Sequence, residues 1–160
     1  MMRRYLSVVM LSVMVLMIAG CANGKENSSE PTSEDVQVLF EKRDSKIGDN
    51  SAVSAIVQHL YLRDYIQEIQ LQTKKKPYGV TVTYEIPDSD ETPNSPDIHE
   101  KNAAVLFSLI PNLDSVTFMF NADNSSLGGT YYRSKMGNVV KENLEDISKS
   151  EESLSQFLDS

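Results

Sequence analysis

Short apolar stretches separated by polar breaks run through most of the chain, and their spacing predicts its elements. Val36-Gln37-Val38-Leu39-Phe40 sets two valines on one side, the period of a strand. Asp49 or Asn50 offers an N-cap for a helix whose apolar face is Val53, Ile56, Val57 and Leu60. Ile69 and Leu71 alternate with Glu68, Gln70 and Gln72, and Val80 and Val82 alternate with Thr81 and Thr83. Both segments predict strands with one face turned inward. Between them Pro77 and Gly79 stand two apart, the chemistry of a hairpin connection.

Ser95 followed by Pro96 predicts an N-cap and first helical residue, and Ala103, Ala104, Leu106, Phe107 and Ile110 mark a second helix that Pro111 stops. Asn112-Leu113-Asp114 reads as a turn into a strand bearing Val116, Phe118 and Phe120 on one face. So short a link predicts that this helix is the central packing element, with Phe107 against Phe118. Residues 121–129, with Gly128-Gly129, read as a hairpin loop into a strand Thr130-Tyr131-Tyr132-Arg133. The tail carries helical spacing at Val139, Val140, Leu144 and Ile147 and again at Leu154, Phe157 and Leu158, with Ser150 as a cap between. The order β-α-β-β-α-β-β-α predicts an α+β fold. It is a small single domain, with one mixed or antiparallel sheet and helices packed on one face.

The first residues follow a different logic. Arg3 and Arg4 precede an uncharged run from Leu6 to Ala19. A secretory apolar region is about 7–15 residues long and a membrane-spanning helix about 20, so the run is short for a span. It closes on Ile18-Ala19-Gly20-Cys21, which resembles the lipobox of bacterial lipoproteins. The resemblance implies a diacylglycerol on the Cys21 thiol and cleavage that leaves Cys21 first. It places the protein on the extracytoplasmic face of the cell membrane, held by lipid. Each buried lipid CH₂ contributes about 0.8 kcal/mol, so two chains give a stable anchor.

That division sets the organisation: residues 1–20 as signal peptide, 21–34 as flexible tether and 35–160 as one domain. Ala22 to Glu34 is polar, with Pro31 and several serines, and too poor in apolar residues to order itself. Loss of the signal removes two arginines and no acid, moving the formal net charge from −8 to −10. Such a surface repels nucleic acid, which is excluded as a partner. Cys21 is the one cysteine. Once lipidated it leaves no disulfide, no thiol nucleophile and no thiolate metal site.

Three segments carry a further resemblance: Ile47-Gly48-Asp49-Asn50-Ser51 with Val53 and Ile56-Val57; Leu71-Gln72-Thr73 with Pro77-Tyr78-Gly79 and Tyr84; and Leu106-Phe107 with Leu109 to Asp114. Together they are similar to a domain-of-unknown-function family of Gram-positive-type bacteria. That domain occurs alone as a lipoprotein. It also occurs as the extracellular part of membrane metallopeptidases resembling β-lactam sensor-transducers. The resemblance spans about Val36 to Arg133. It implies no activity and no catalytic residues, and the chain has no H-E-x-x-H.

Candidate chemistry is sparse. His59 and His99 are the two histidines, and neither is spaced from a nucleophile as a base would be. Both read as surface or capping residues. Asp88, Asp90, Glu91 and Asp97 form an acidic loop with prolines and no glycine, unlike a calcium loop. No catalytic residue, metal or cofactor is assigned. Lys74, Lys75 and Lys76 form a basic cluster at a hairpin tip, able to touch an anionic lipid or wall polymer. Tyr78 has no reason in turn geometry to be aromatic, and of Tyr131 and Tyr132 one must point outward in a strand. Lys74–Lys76, Tyr78 and Tyr131 are therefore the candidate contacts. The expected function is a non-enzymatic, lipid-anchored binding or sensory lipoprotein whose partner is an envelope protein or cell-wall ligand. The alternative is a small lipid-anchored cell-envelope hydrolase. A transporter's binding lipoprotein would need two lobes, more than this length supplies.

Cys21→Ala is expected to abolish incorporation of a labelled lipid precursor and release the protein from the membrane fraction. Retained label would disprove the anchor.

Overall fold

The computed structural model describes residues 30–86, 95–122, 125–140 and 142–160. The signal, Cys21 and most of the acidic loop lie outside the described residues. The elements are helices α1 (Ser33–Glu41) and α2 (Asn50–Val57), a 3-10 turn (Arg63–Tyr65), strands β1 (Ile66–Gln72) and β2 (Gly79–Glu85), helix α3 (Pro96–Leu109), strands β3 (Ser115–Ala122) and β4 (Ser125–Tyr132), and helices α4 (Arg133–Val140), α5 (Leu144–Ile147) and α6 (Glu151–Asp159). The four strands form one mixed sheet in the order β1-β2-β3-β4. The outer pairs are antiparallel hairpins and the central pair β2–β3 is parallel. A parallel pair needs a crossover, and α3 supplies it.

The class is α+β with a mixed sheet, and two elements differ from the sequence expectation. Val36 to Phe40 is helical. Thr32 caps α1 and accepts from the Asp35 amide, while the Asp35 carboxylate accepts from the Thr32 amide and hydroxyl, both at 2.7 Å. This capping box extends the ordered chain back through Ser33 and Glu34, which the sequence placed in the tether. Val36, Leu39 and Phe40, spaced three and four, then turn to the core. The two valines looked like a strand because α1 is short.

Gly128 and Gly129 lie within β4, not in a hairpin loop. Gly128 stands opposite Met119, and a Cβ there would collide with the Met119 sulfur and lie 3.0 Å from the Phe118 carbonyl oxygen. Close packing therefore requires the glycine, and no turn does. Arg133 opens α4 and does not end the strand.

The sheet's inward face carries Val80, Val82 and Tyr84 of β2 and Val116, Phe118 and Phe120 of β3, all buried. Ile69 and Leu71 of β1 are partly buried at the edge. A bulge between Ile66 and Glu68 brings Ile66 to the same face, opposite Tyr84. Helix α3 is buried continuously from Asn102 to Phe107, as a helix covered on all sides must be. It packs on β3 and against α4, α5 and α6. It is thus the central element, but the Phe107 ring lies beneath the Arg133 guanidinium, 5.2 Å from its centroid. The α3 ring that meets Phe118 is His99, at 5.8 Å, one helix end away. His99 stands eight positions, about two helical turns, before the Phe107 that was expected at that strand position.

Leu62 is fully buried with φ 66°, a left-handed backbone unusual for a leucine. Its buried side chain holds the reversal that leads from α2 into β1.

Phe107 is fully buried. Phe107→Ala is expected to cost about 3–5 kcal/mol of the roughly 5–15 available to a domain, read from the shift of a urea unfolding midpoint. A loss below about 1 kcal/mol would contradict its place in the core.

Candidate functional site

The densest polar construction in the domain surrounds the turn that follows α3. Asn112 Oδ1 accepts from the Ile47 amide at 2.9 Å, and Asp114 Oδ2 accepts from the Tyr78 amide at 2.7 Å. The Tyr78 carbonyl in turn accepts from the amides of Asp114 and Ser115, at 2.9 and 3.1 Å. The turn therefore ties the loop before α2 to the hairpin before β2.

Arg133 closes the arrangement from the other side. Its Nε donates to the Leu113 carbonyl at 2.7 Å, and its Nη2 donates to the carbonyls of Phe107 and Ile110 at 2.7 and 2.6 Å. A helix leaves its last carbonyls without intrahelical partners, and a cation there also meets the negative end of the dipole. Arg133 thus caps α3 from a distant part of the chain. Burial pulls its guanidinium below the ordinary arginine value, opposed by the nearby charge of Asp114. The three segments that carried the sequence resemblance all meet here. The turn residues were legible as a turn, but nothing in the sequence marked Arg133 as their partner.

At the opposite end of α3, His99 stacks on Phe120 with centroids 4.5 Å apart and planes 12° apart. Its Nε2 is buried without a hydrogen-bond partner. Burial pulls the imidazole below the usual 6.5. A capping or surface role misses this: His99 is part of the aromatic layer with Tyr84, Phe118 and Phe120. His59 does act locally, its Nδ1 2.7 Å from the Ala55 carbonyl.

The predicted contact residues separate. Lys74, Lys75 and Lys76 are exposed at the β1–β2 hairpin, beside a cis Lys76–Pro77 peptide. Tyr78 is partly buried against the core, with Lys76 Nζ 5.6 Å from its ring centre. Tyr131 faces inward, contrary to its assignment as a surface contact. Its register opposite Val116 puts it on the core face, where its ring meets Phe118 edge-on at 5.9 Å. Tyr132 is the outward residue, 48% exposed.

Tyr132 belongs to the sheet face that no helix covers. Gln70, Thr81, Thr117 and Thr130 form one row across its four strands. The Thr117 and Thr130 hydroxyls are 2.9 Å apart. A second row links Glu85, Gln67, Asn121 and Ser126: Gln67 donates to Glu85 at 2.8 Å, Asn121 to Gln67 at 3.4 Å and Ser126 to Asn121 at 2.9 Å. At the rim Leu127 is 69% exposed, although it pairs with the inward-facing Phe120. The two edges also differ. β1 has a bulge and Glu68, whereas β4 reads Ser-Ser-Leu-Gly-Gly-Thr-Tyr-Tyr, without charge or proline. Natural edges are usually protected by such features.

Among the described residues no group of His, Cys, Asp or Glu side chains could hold a metal ion. Asp97 is the described member of the acidic loop; Asp88, Asp90 and Glu91 lie outside the described residues. Among the described residues, no helix is long and apolar enough to cross a membrane.

Residues 39–134 match the family model of a domain of unknown function, DUF4825. The chain belongs to this family. No curated protein and no solved structure matches it. The DUF4825 match ends one residue past Arg133 and so takes in the whole turn with its distant cap.

Because burial depresses His99, protonation favours the unfolded chain. Its contribution to stability is complete above about pH 6.5 and is lost as the pH falls from there toward the lower folded value. Asp35 loses its contribution only below about 3.8. Burial raises its carboxyl, but the Thr32 bonds and Arg63 at 2.6 Å outweigh that and hold it low. Wild-type stability should therefore fall between pH 7 and 5, and His99→Gln should flatten the curve there. An unchanged slope in urea titrations of the variant would place the dependence elsewhere.

Proposed function

We propose that this DUF4825 chain is a lipid-anchored binding or accessory lipoprotein on the extracytoplasmic face of the cell membrane, without enzymatic activity of its own. The tether is read from Arg3 and Arg4, the apolar run and Ile18-Ala19-Gly20-Cys21. The observation that carries the binding reading is the uncovered sheet face, hydrogen-bonded into polar rows, with Tyr132 exposed on it and the unprotected β4 at its edge.

Geometry supports the combination. The described chain begins just before α1, which packs with α2 and α6 in the helical layer. The described chain thus enters on the helical side, with the open face on the other. A partner could reach that face without passing beneath the anchor. An exposed tyrosine is an economical contact, combining a large apolar ring with a polar tip. The polar rows keep the unoccupied face soluble and offer hydrogen bonds to an envelope protein or wall polymer. Lys74–Lys76 stand at the β1–β2 end of the same sheet, where they would add attraction for anionic groups.

A photo-crosslinking residue at Tyr132 or Thr130 of the anchored protein should yield discrete adducts in intact cells. The same residue at Gln156 on α6 should not. Equal yields from both surfaces, or none from the sheet face, would reject it as the binding surface.

A further inference from the structure

Beside the capped end of α3 lies a cleft of about 470 Å³, within the usual range of small-molecule sites. Pro111 and Leu144 give it an apolar lining, above the fully buried Phe107. Arg133 borders it with an unusual set of bonds. Its three hydrogen bonds run from Nε and Nη2 to neutral carbonyls, and Nη1 takes part in none of them. Among the described residues the ion pairs are Arg43 with Asp44 and Arg63 with Asp35, so no carboxylate pairs with Arg133. The nearby Asp114 is already engaged by the Tyr78 amide.

A half-buried guanidinium held rigid by its own backbone, with a nitrogen to spare, is a preorganised anion site. Arg43 and Lys149 also line the cleft, giving three cations against Asp44 and Glu145 in a chain of net charge −8. The two acids matter to the choice of anion. They offset two of the three cations and leave a single net positive charge, which one carboxylate neutralises, and one free nitrogen suits a carboxylate better than a phosphate with three acceptor oxygens. We propose that this cleft binds a small organic monocarboxylate, its charge on Arg133 and its apolar body against Pro111 and Leu144. The proposal does not depend on the anchor or on the sheet face.

Acetate, butyrate and 3-phenylpropionate should be titrated into the full-length protein in detergent micelles, with NMR signals of the Arg133 Nε–H and the Leu144 methyls as reporters. Controls are 3-phenylpropionamide, which shares the apolar body and the micelle partitioning, and inorganic phosphate. Saturable shifts are expected with at least one carboxylate, strongest for 3-phenylpropionate, and binding roughly tenfold weaker for the amide. Arg133→Ala removes the cap and can unfold the domain, so the charge test uses Arg43→Gln and Lys149→Gln. Both sites are exposed, and each variant should weaken binding about two- to fivefold; Lys149→Gln should do so without changing Tm, whereas Arg43→Gln also removes the guanidinium stacked 4.3 Å over the Phe40 ring. Equal binding of acid and amide, phosphate binding as tight as the carboxylates, or no saturation by any carboxylate would overturn the proposal.

Discussion

The end of α3 is the constraint on which the rest of the domain depends. This helix ends on buried residues, Leu109 and Ile110, and an unpaired buried carbonyl costs on the order of 1–3 kcal/mol. Here Arg133 supplies the donors from 23 to 26 residues away in sequence. The same turn takes the amides of Ile47 and Tyr78. One short segment thereby sets the positions of the loop before α2, the start of β2, the start of β3 and the end of β4. Strand order follows from this. Tyr78 and Ser115, adjacent through the turn, begin two neighbouring strands in the same direction, so β2 and β3 are parallel and α3 must cross between them.

The cap also accounts for what was and was not legible in the residues. Elements with local signals came through: Asp49 capping α2, Ser95-Pro96 opening α3, Pro111 closing it and Ser150 capping α6. Each cap is a side chain meeting a backbone group within three residues, and Pro111 acts through its own missing N–H. The missed features depend on distant partners. α1 looked like a strand because Val36 and Val38 are two apart, whereas its inward face is Val36, Leu39 and Phe40, and the Thr32–Asp35 box that decides the matter sits in a polar stretch resembling linker. Gly128 looked like a turn because its reason, Met119, lies across the sheet. Tyr131 and Tyr132 could not be assigned to faces until the register with Val116 and Ser115 was known. Arg133 gave no sequence signal, since a guanidinium at a strand end is an ordinary surface residue until a helix terminus is placed against it.

Polarity along α3 organises the chemistry. Its C-terminal pole is built from hydrogen bonds, with Arg133, Asn112 and Asp114 matched to named backbone groups. Its N-terminal pole is built from stacked rings, with His99 on Phe120 and an imidazole nitrogen left unpartnered. Stacking tolerates small displacements, whereas a fork of three charge-assisted bonds does not. Rigidity is therefore expected to decline from the Arg133 end toward the His99 end, where Leu127 stands exposed beside the same aromatic layer.

This gradient bears on where a ligand or partner can act. A cleft beside the rigid pole presents charge in fixed geometry, which favours a small ion that cannot itself contribute much buried area. The open sheet face offers the reverse, a broad and already solvated surface whose hydroxyls and amides are satisfied by one another. Binding there gains little from any single bond, because each new hydrogen bond replaces one within the rows or one to water. Affinity for the proposed partner on that face would come from area and from Tyr132, as a macromolecule supplies. The two surfaces are thus suited to different classes of ligand, and both rest on the same helix: α3 fixes Arg133's geometry at its end and, by filling the other side of the sheet, leaves β1 to β4 one face free.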